Sequence, residues 1–280
     1  MKILLTGASG FIGSELLKDL SQKHKLYITL RKNINYKSKN IKVLKFKDNF
    51  DLNKKLRNIK IDAVIHCATH YVKNHKFEDL KKLSDSNILF GNIILENLEN
   101  MNTKIFINFS TVWEDYNRKK NNFYNLYSAY KRAFKSLITF YKNKFFKTKF
   151  FDIVISDTFG ENDRRKKIIN IMRSNYQKNF TTKIISKNLY INLLNVLDIN
   201  RGIKLILKKN YKSGTYLFKN IEFYSLFNIV NFINNKNKKK IKVKWISNVT
   251  LKEKFYRYKA LKNWKPIKSN ISDIAKVITG

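Results

Sequence analysis

Short apolar, β-branched runs alternate along the first half of the chain with stretches whose apolar positions recur at helical spacing. Ile3–Leu5 reads as a strand and Phe11–Leu20 as a helix, followed by strands at Leu26–Leu30 and Val43–Phe46. Ala63–Cys67 is a very apolar run, which predicts a central strand. Asn87–Leu98 carries Ile88, Leu89, Ile93, Ile94, Leu95 and Leu98 at helical intervals. A strand at Ile105–Phe109, a helix at Tyr127–Tyr141 and a strand at Phe151–Ile155 follow. This alternation predicts an α/β fold, a Rossmann-type doubly wound parallel sheet. From about Asp157 the regularity loosens. Helices near Ile168–Asn175, Val196–Leu207 and Ser225–Ile233 mix with brief strands at Thr215–Phe218 and Lys242–Trp245. There is no internal repeat and no Gly/Ser linker. The expected division is a Rossmann domain over 1–156 and, over 157–280, mainly a smaller α/β substrate-binding lobe with some segments returning to the first domain.

The turn between the first strand and the first helix carries Gly7, Gly10 and Gly13, three of only eight glycines in the chain. A plain βα turn does not need three. In this context Gly7 allows a tight turn, Gly10 lets backbone N–H groups approach a pyrophosphate, and Gly13 lets helix and strand pack closely. The turn predicts a dinucleotide at the start of that helix. The end of the second strand meets the adenosine ribose in such folds. Here it carries Arg31 and then Lys32, with no carboxylate nearby. A cation suits a 2′-phosphate, so NADP(H) is favoured, with NAD(H) as the alternative.

The formal charge of +38, from 58 Lys and Arg against 20 acids, would by itself suggest a polyanionic partner. All but nine of those cations are lysine, spread from Lys2 to Lys276, and Asn and Ile are abundant too. That is the signature of A/T-rich coding. Nucleic acid is not the expected partner, and the densest run, Lys236 to Lys240, reads as a solvated loop. The single cysteine, Cys67, excludes a disulfide framework. His24, His66, His70 and His75 lack metal-ligand spacing, so no metal is expected. No apolar stretch reaches the roughly 18 residues needed to span a bilayer. Met1 leads straight into a strand without a signal-peptide pattern, so the expected compartment is the cytoplasm.

A Tyr and a Lys four apart on a helix share a face, and a nearby ammonium lowers the phenol pKa enough for proton exchange with a carbonyl. In so lysine-rich a chain about two or three such pairs arise by chance. Three occur: Tyr116/Lys120, Tyr127/Lys131 and Tyr258/Lys262. Context selects Tyr127 and Lys131. They open an amphipathic helix with small residues at Ser128, Ala129 and Ala133, after a strand ending in the hydroxyls Ser110 and Thr111.

The segment from Thr6 to Gly13 (TGASGFIG) resembles the extended short-chain dehydrogenase/reductases, the NAD-dependent epimerase/dehydratase family. Asp62–Ala68, Asp48 and the Asn87, Gly91, Leu95, Glu96 pattern fit that family as well. The stretches Phe106–Asn117, Asn125–Phe134 and Ser156–Lys167 resemble the nucleotide-4-ketosugar reductases of the CDP-abequose and CDP-paratose synthase group. Asp198 and Trp264–Pro266 match later family landmarks. The resemblance implies Tyr127, Lys131 and either Ser110 or Thr111 as the catalytic set; the usual hydroxyl position holds Phe109 instead. It implies Gly7, Ser9, Gly10, Phe11, Ile12, Gly13, Arg31, Asp48, Cys67, Ala68, Thr69 and Lys131 around the cofactor. Around a nucleotide-sugar substrate it implies His70, Trp113, Asp157, Thr158, Phe159, Arg164 and Asn192. It also implies a homodimer, paired through Asn87–Leu98 and Tyr127–Tyr141. A 4,6-dehydratase places an Asp–Glu pair directly after its catalytic Thr, whereas Thr111 is followed by Val112 and Trp113. The expectation is therefore NADPH-dependent reduction of a nucleotide-linked 4-keto-6-deoxy sugar in surface polysaccharide synthesis. The alternatives are an NAD-linked epimerase and a non-enzymatic dinucleotide-binding module of the same fold.

Overall fold

The structure, a computed structural model, describes residues 1–30 and 38–280. Arg31 and Lys32 lie outside the described residues. In chain order the elements begin with β1 (Lys2–Thr6), α1 (Phe11–Leu20), β2 (Lys25–Leu30), β3 (Ile41–Lys45), α2 (Asn49–Arg57) and β4 (Ala63–His66). Next come α3 (Asp79–Ser84), a π-turn (Asp85–Leu89), α4 (Phe90–Glu96), β5 (Ile105–Thr111), a 3₁₀ segment (Val112–Arg118), α5 (Leu126–Lys144) and β6 (Lys149–Ile155). Then follow β7 (Asp157–Phe159), α6 (Ile168–Gln177), β8 (Thr182–Ser186), β9 (Leu189–Ile191), β10 (Leu193–Asn195) and α7 (Val196–Lys208). The chain closes with β11 (Gly214–Phe218), β12 (Tyr224–Ser225), α8 (Leu226–Lys236), β13 (Val243–Ser247), β14 (Leu251–Lys252) and α9 (Ile271–Thr279).

Two compact units result: residues 1–154, 203–217 and 256–259, and residues 155–202, 218–255 and 260–280. The first holds a seven-stranded sheet in the order β11-β6-β5-β4-β1-β2-β3. β1 pairs in parallel with both β2 and β4, and β4 with β5, so Leu4 lies beside Tyr27 on one side and Val64 on the other. Strand order reverses between β1 and β4, the place where a crevice opens at the carboxyl ends of a doubly wound sheet. The buried strands read as continuous apolar runs because both faces are covered. One cluster packs Leu4, Val64, Phe106, Ile94, Phe134 and Ile138 with their neighbours. Each such side chain stabilises by about 1.5–3 kcal/mol on burial.

The helix expected over Asn87–Leu98 starts earlier, at Asp79, and passes through the π-turn that carries Asn87. The extra residue of that turn aims the Asn87 side chain inward, where it is buried.

The second unit builds its own core from α6, α8 and α9 with Phe159, Ile184, Ile191 and Leu193 of its short strands. β10 pairs in parallel with β7, and β13 with β8. Asp198, wholly buried at the start of α7, closes this unit on its C-terminal segment. Its Oδ1 accepts from Ile267 N (2.9 Å) and Arg201 Nη1 (3.0 Å), and its Oδ2 from Lys268 N (2.8 Å) and Ser269 Oγ (2.7 Å). Trp264 donates to the Asp198 carbonyl (2.9 Å) while its ring stacks on Phe218 at 4.1 Å.

Candidate active site

Gly7 adopts φ +67°, and a Cβ there would lie 2.6 Å from Ala68 N. A Cβ on Gly13 would lie 2.1 Å from the Gly7 carbonyl. Glycine is therefore required at both positions: at Gly7 by backbone conformation and contact, at Gly13 by the approach of α1 to the turn. α1 starts at Phe11 with exposed Gly10 as its N-cap and no side chain capping its first turn. The turn fits a pyrophosphate, which favours the positive end of a helix and needs room for its oxygens where side chains would otherwise stand. Ser9 is exposed and Phe11 and Ile12 are half-buried beside it.

The loop after β4 lies next to this turn and is held from behind. The Asn87 Oδ1 accepts from His70 N (2.7 Å) and Thr69 Oγ1 (2.9 Å), while its Nδ2 donates to His70 O (2.9 Å). Asn87 thus shapes the Cys67–His70 segment from below. His66 at the end of β4 is buried among Phe90, Phe106 and Phe134, with Nδ1 2.9 Å from Thr6 Oγ1. Burial, helped by the charge of Lys131, lowers its pKa to about 3, so His66 is neutral. Asp48 is exposed, and its Oδ1 caps α2 by accepting from Asp51 N at 2.8 Å.

Helix α5 begins with a reciprocal cap between Asn125 and Ser128. Its buried stripe is Ser128, Lys131, Phe134, Ile138 and Tyr141, so Lys131 sits where an apolar residue is expected. Burial lowers the Lys131 pKa, and the negative charges of Glu114 and Asp152 partly restore it. The Tyr127 ring meets Tyr71 edge-on at 5.1 Å, and Tyr71 lies 5.9 Å from Trp113. Trp113 N in turn donates to Thr111 Oγ1 (3.3 Å). Tyr127, Trp113 and Thr111 are thereby brought into one neighbourhood, with Tyr71 between them, a residue sequence reasoning missed.

The two strand-end hydroxyls differ. Ser110 is buried, and its Oγ donates to Asp152 Oδ1 at 2.5 Å. Thr111 is half-buried, and its Oγ1 accepts from Trp113, which keeps its proton available.

In the second unit the expected residues have several environments. Asp157 pairs with Lys167. Thr158 is buried and accepts from Arg165 Nη2 (2.8 Å), and Arg165 is gripped by both oxygens of Asp163 at 2.7 Å. Arg164 is exposed, so of the adjacent arginines one is structural and the other faces solvent. Phe159 belongs to the hydrophobic core. Asn192 is wholly buried and spends its amide on the backbone of Asn220 and Glu222 (2.9–3.1 Å). Among the described residues no group of His, Cys, Asp and Glu is arranged to hold a metal, and no helix is long and apolar enough to cross a membrane.

The profile of the NAD dependent epimerase/dehydratase family matches residues 3–217. The CDP-abequose synthase of Yersinia pseudotuberculosis is 28% identical over 231 residues, covering 80% of this chain and 79% of that protein. A dTDP-D-glucose 4,6-dehydratase of Dictyostelium discoideum is 32% identical over 253 residues, covering 77% of this chain and 57% of that one. The fold is shared with a UDP-glucuronic acid 4-epimerase variant from Bacillus cereus, solved with UDP-4-deoxy-4-fluoro-glucuronic acid and NAD. That match has TM-score 0.78 and 19% identity, and covers 99% of this chain and 98% of that one.

Proposed function

The chain belongs to the NAD-dependent epimerase/dehydratase family, and within it we propose a reductase that uses NADPH to convert a nucleotide-linked 4-keto-6-deoxy sugar to its alcohol. The observation that carries this reading is the placement of Tyr127 and buried Lys131 four residues apart on α5, in the neighbourhood of Thr111, with Val112 and Trp113 where a dehydratase needs Asp and Glu. The likeness to a CDP-abequose synthase supports the substrate class, and Arg31 supports the 2′-phosphate.

The Gly7–Gly13 turn and the first N–H groups of α1 would hold the pyrophosphate, with Cys67–Thr69 beside it and Lys131 on the nicotinamide ribose. When bound in its reduced form, that cofactor supplies the hydride. Tyr127 gives its phenolic proton to the ketone oxygen, and the Lys131 ammonium stabilises the phenolate left behind. Thr111, whose proton is available, donates a hydrogen bond to the same oxygen; Ser110 is committed to Asp152. Trp113 lines the sugar side. Two copies pair through the π-turn, α4 and α5, where Leu89 is 41% and Phe140 60% exposed. The setting is the cytoplasm, and the alcohol product feeds surface polysaccharide assembly.

The test is NADPH oxidation by the purified protein with CDP- or dTDP-4-keto-6-deoxyglucose. Turnover is expected, and Tyr127→Phe should reduce kcat by about 100-fold or more with an unchanged melting temperature. Cofactor retained through purification with no net NADPH consumption would replace reduction by epimerisation.

A further inference from the structure

Behind Thr111 and Lys131 lies a set of charges that the proposed reaction does not use. Glu114, wholly buried, accepts from Thr111 N through Oε1 (3.1 Å), while Thr111 Oγ1 caps the turn that carries Glu114. Arg132, next in chain to Lys131, places Nε 3.3 Å from Glu114 Oε2 and Nη2 2.6 Å from Asp115 Oδ2. Asp115 also accepts from Tyr258 Oη and from Asn121 N (2.8 Å). One turn on, Lys135 Nζ lies 2.7 Å from Asp152 Oδ2 and 5.2 Å from the Tyr258 ring centre. The other oxygen of Asp152 accepts from Asn108 Nδ2 (2.7 Å) and Ser110 Oγ (2.5 Å).

The residue carrying the reactive hydroxyl and the helix carrying the reactive ammonium are therefore both fastened to one carboxyl. We propose that Glu114 is a positioning residue for the reaction above: it fixes Thr111 by its backbone N–H and α5, the helix that carries Lys131, by Arg132.

The groups facing Glu114 are Lys131, Arg132 and Lys135 from α5, Asp115 from its own turn, Asp152 from β6, and Tyr258. Two neighbouring carboxyls answer this surrounding oppositely. Burial opposes the charge on Asp115, but Tyr258, Asn121 and Arg132 outweigh it and hold its pKa low. Burial, reinforced by Asp152, pushes Glu114 up to about 7 against the pull of Lys135, Thr111 and Arg132. Glu114 thus changes charge near neutrality, and only its ionised form pairs fully with Arg132 and adds its negative charge to the field that favours the Lys131 ammonium.

The inference rests on the reductase reading for its catalytic consequence but not for its test. Glu114→Gln keeps an acceptor for Thr111 N and removes the charge. Peptide-resolved acetylation by a small acylating reagent at pH 8, with exposed Lys183 as internal reference, should label Lys131 about threefold or more faster in this variant. At pH 6, where Glu114 is protonated, wild type and variant should react alike. With a reducible ketosugar, wild-type kcat should fall on the acid side of about pH 7 at little cost in KM. The variant should lack that limb and stay at a kcat about tenfold or more lower. An unchanged Lys131 rate at pH 8, or an unchanged acid limb, overturns the proposal. A wild-type protein that reduces no nucleotide 4-ketosugar overturns the reductase reading alone, and the labelling then decides the role of Glu114.

Discussion

Glu114 in the first unit and Asp198 in the second are both carboxylates withdrawn completely from water, yet they are built for different work. Asp198 accepts four hydrogen bonds, two on each oxygen, three of them from the single segment 267–269. Its charge is the hub on which the C-terminal chain is wound. Glu114 receives one backbone N–H, has a guanidinium edge at 3.3 Å, and faces a second negative charge at Asp152. Burial alone does not decide what a buried acid does. The number and permanence of its donors do.

The comparison is broken most severely at Asp198. Asp198→Ala takes the acceptor from the N–H groups of residues 267 and 268 and from the buried Ser269 hydroxyl, and leaves Arg201 only the Lys265 carbonyl. A loss of about 3–5 kcal/mol is expected, read as a lowered urea midpoint. A loss below about 1 kcal/mol would mean that the segment is held by the Phe218–Trp264 stack instead.

At Glu114 the expected effect is smaller and depends on pH. A carboxyl raised from 4.5 to about 7 contributes stability that is present below 4.5 and is lost as pH rises through 7. His66, lowered from 6.5 to about 3, acts in the opposite sense: its contribution is present above 6.5 and lost as pH falls through 3. Between about pH 4.5 and 6.5 the two slopes oppose each other in the wild type. Glu114→Gln removes one of them, so its stability should rise with pH across that window, by up to about 1.4 kcal/mol per unit. Chemical denaturation at half-unit steps of pH measures the slope. Parallel wild-type and variant curves would show that Glu114 does not titrate there.

The halves of the molecule were unequally legible, for physical reasons. The glycine turn and the parallel strands could be read because sterics demand glycine at Gly7 and Gly13, and two-sided burial demands unbroken apolar runs. α2 went unread: its sequence NFDLNKKLR offers only Leu52 and Leu56 to the core. That is also why Asp48 was read through a family contact and not as the cap of a helix. In the second unit β7, β9 and β10 are three residues long, too short for alternation to register. Arg164 and Arg165 are indistinguishable in sequence, and only the fork of Asp163 separates them. The Thr111–Glu114 capping box was there to be read, as a Thr followed three residues on by Glu. Its link to Arg132 was not, because the two meet only when α5 returns across β5.

The smallest expected effect concerns the choice between Ser110 and Thr111. Ser110 gives its proton to Asp152, which keeps Asn108 and Lys135 when that hydroxyl is removed. Ser110→Ala should therefore cost about 1 kcal/mol of stability and less than about threefold in kcat. Thr111→Ala removes a donor to the reacting oxygen and should cost about tenfold or more in kcat. Part of that loss belongs to the cap on Trp113 N, and Thr111→Ser, which retains the cap, should restore most of the activity. If instead Ser110→Ala is the crippled variant, Asp152 releases its serine during turnover. The β6 carboxylate would then belong to the reacting set, and the contrast between a fixed Asp198 and a responsive Glu114 would extend to a third buried acid.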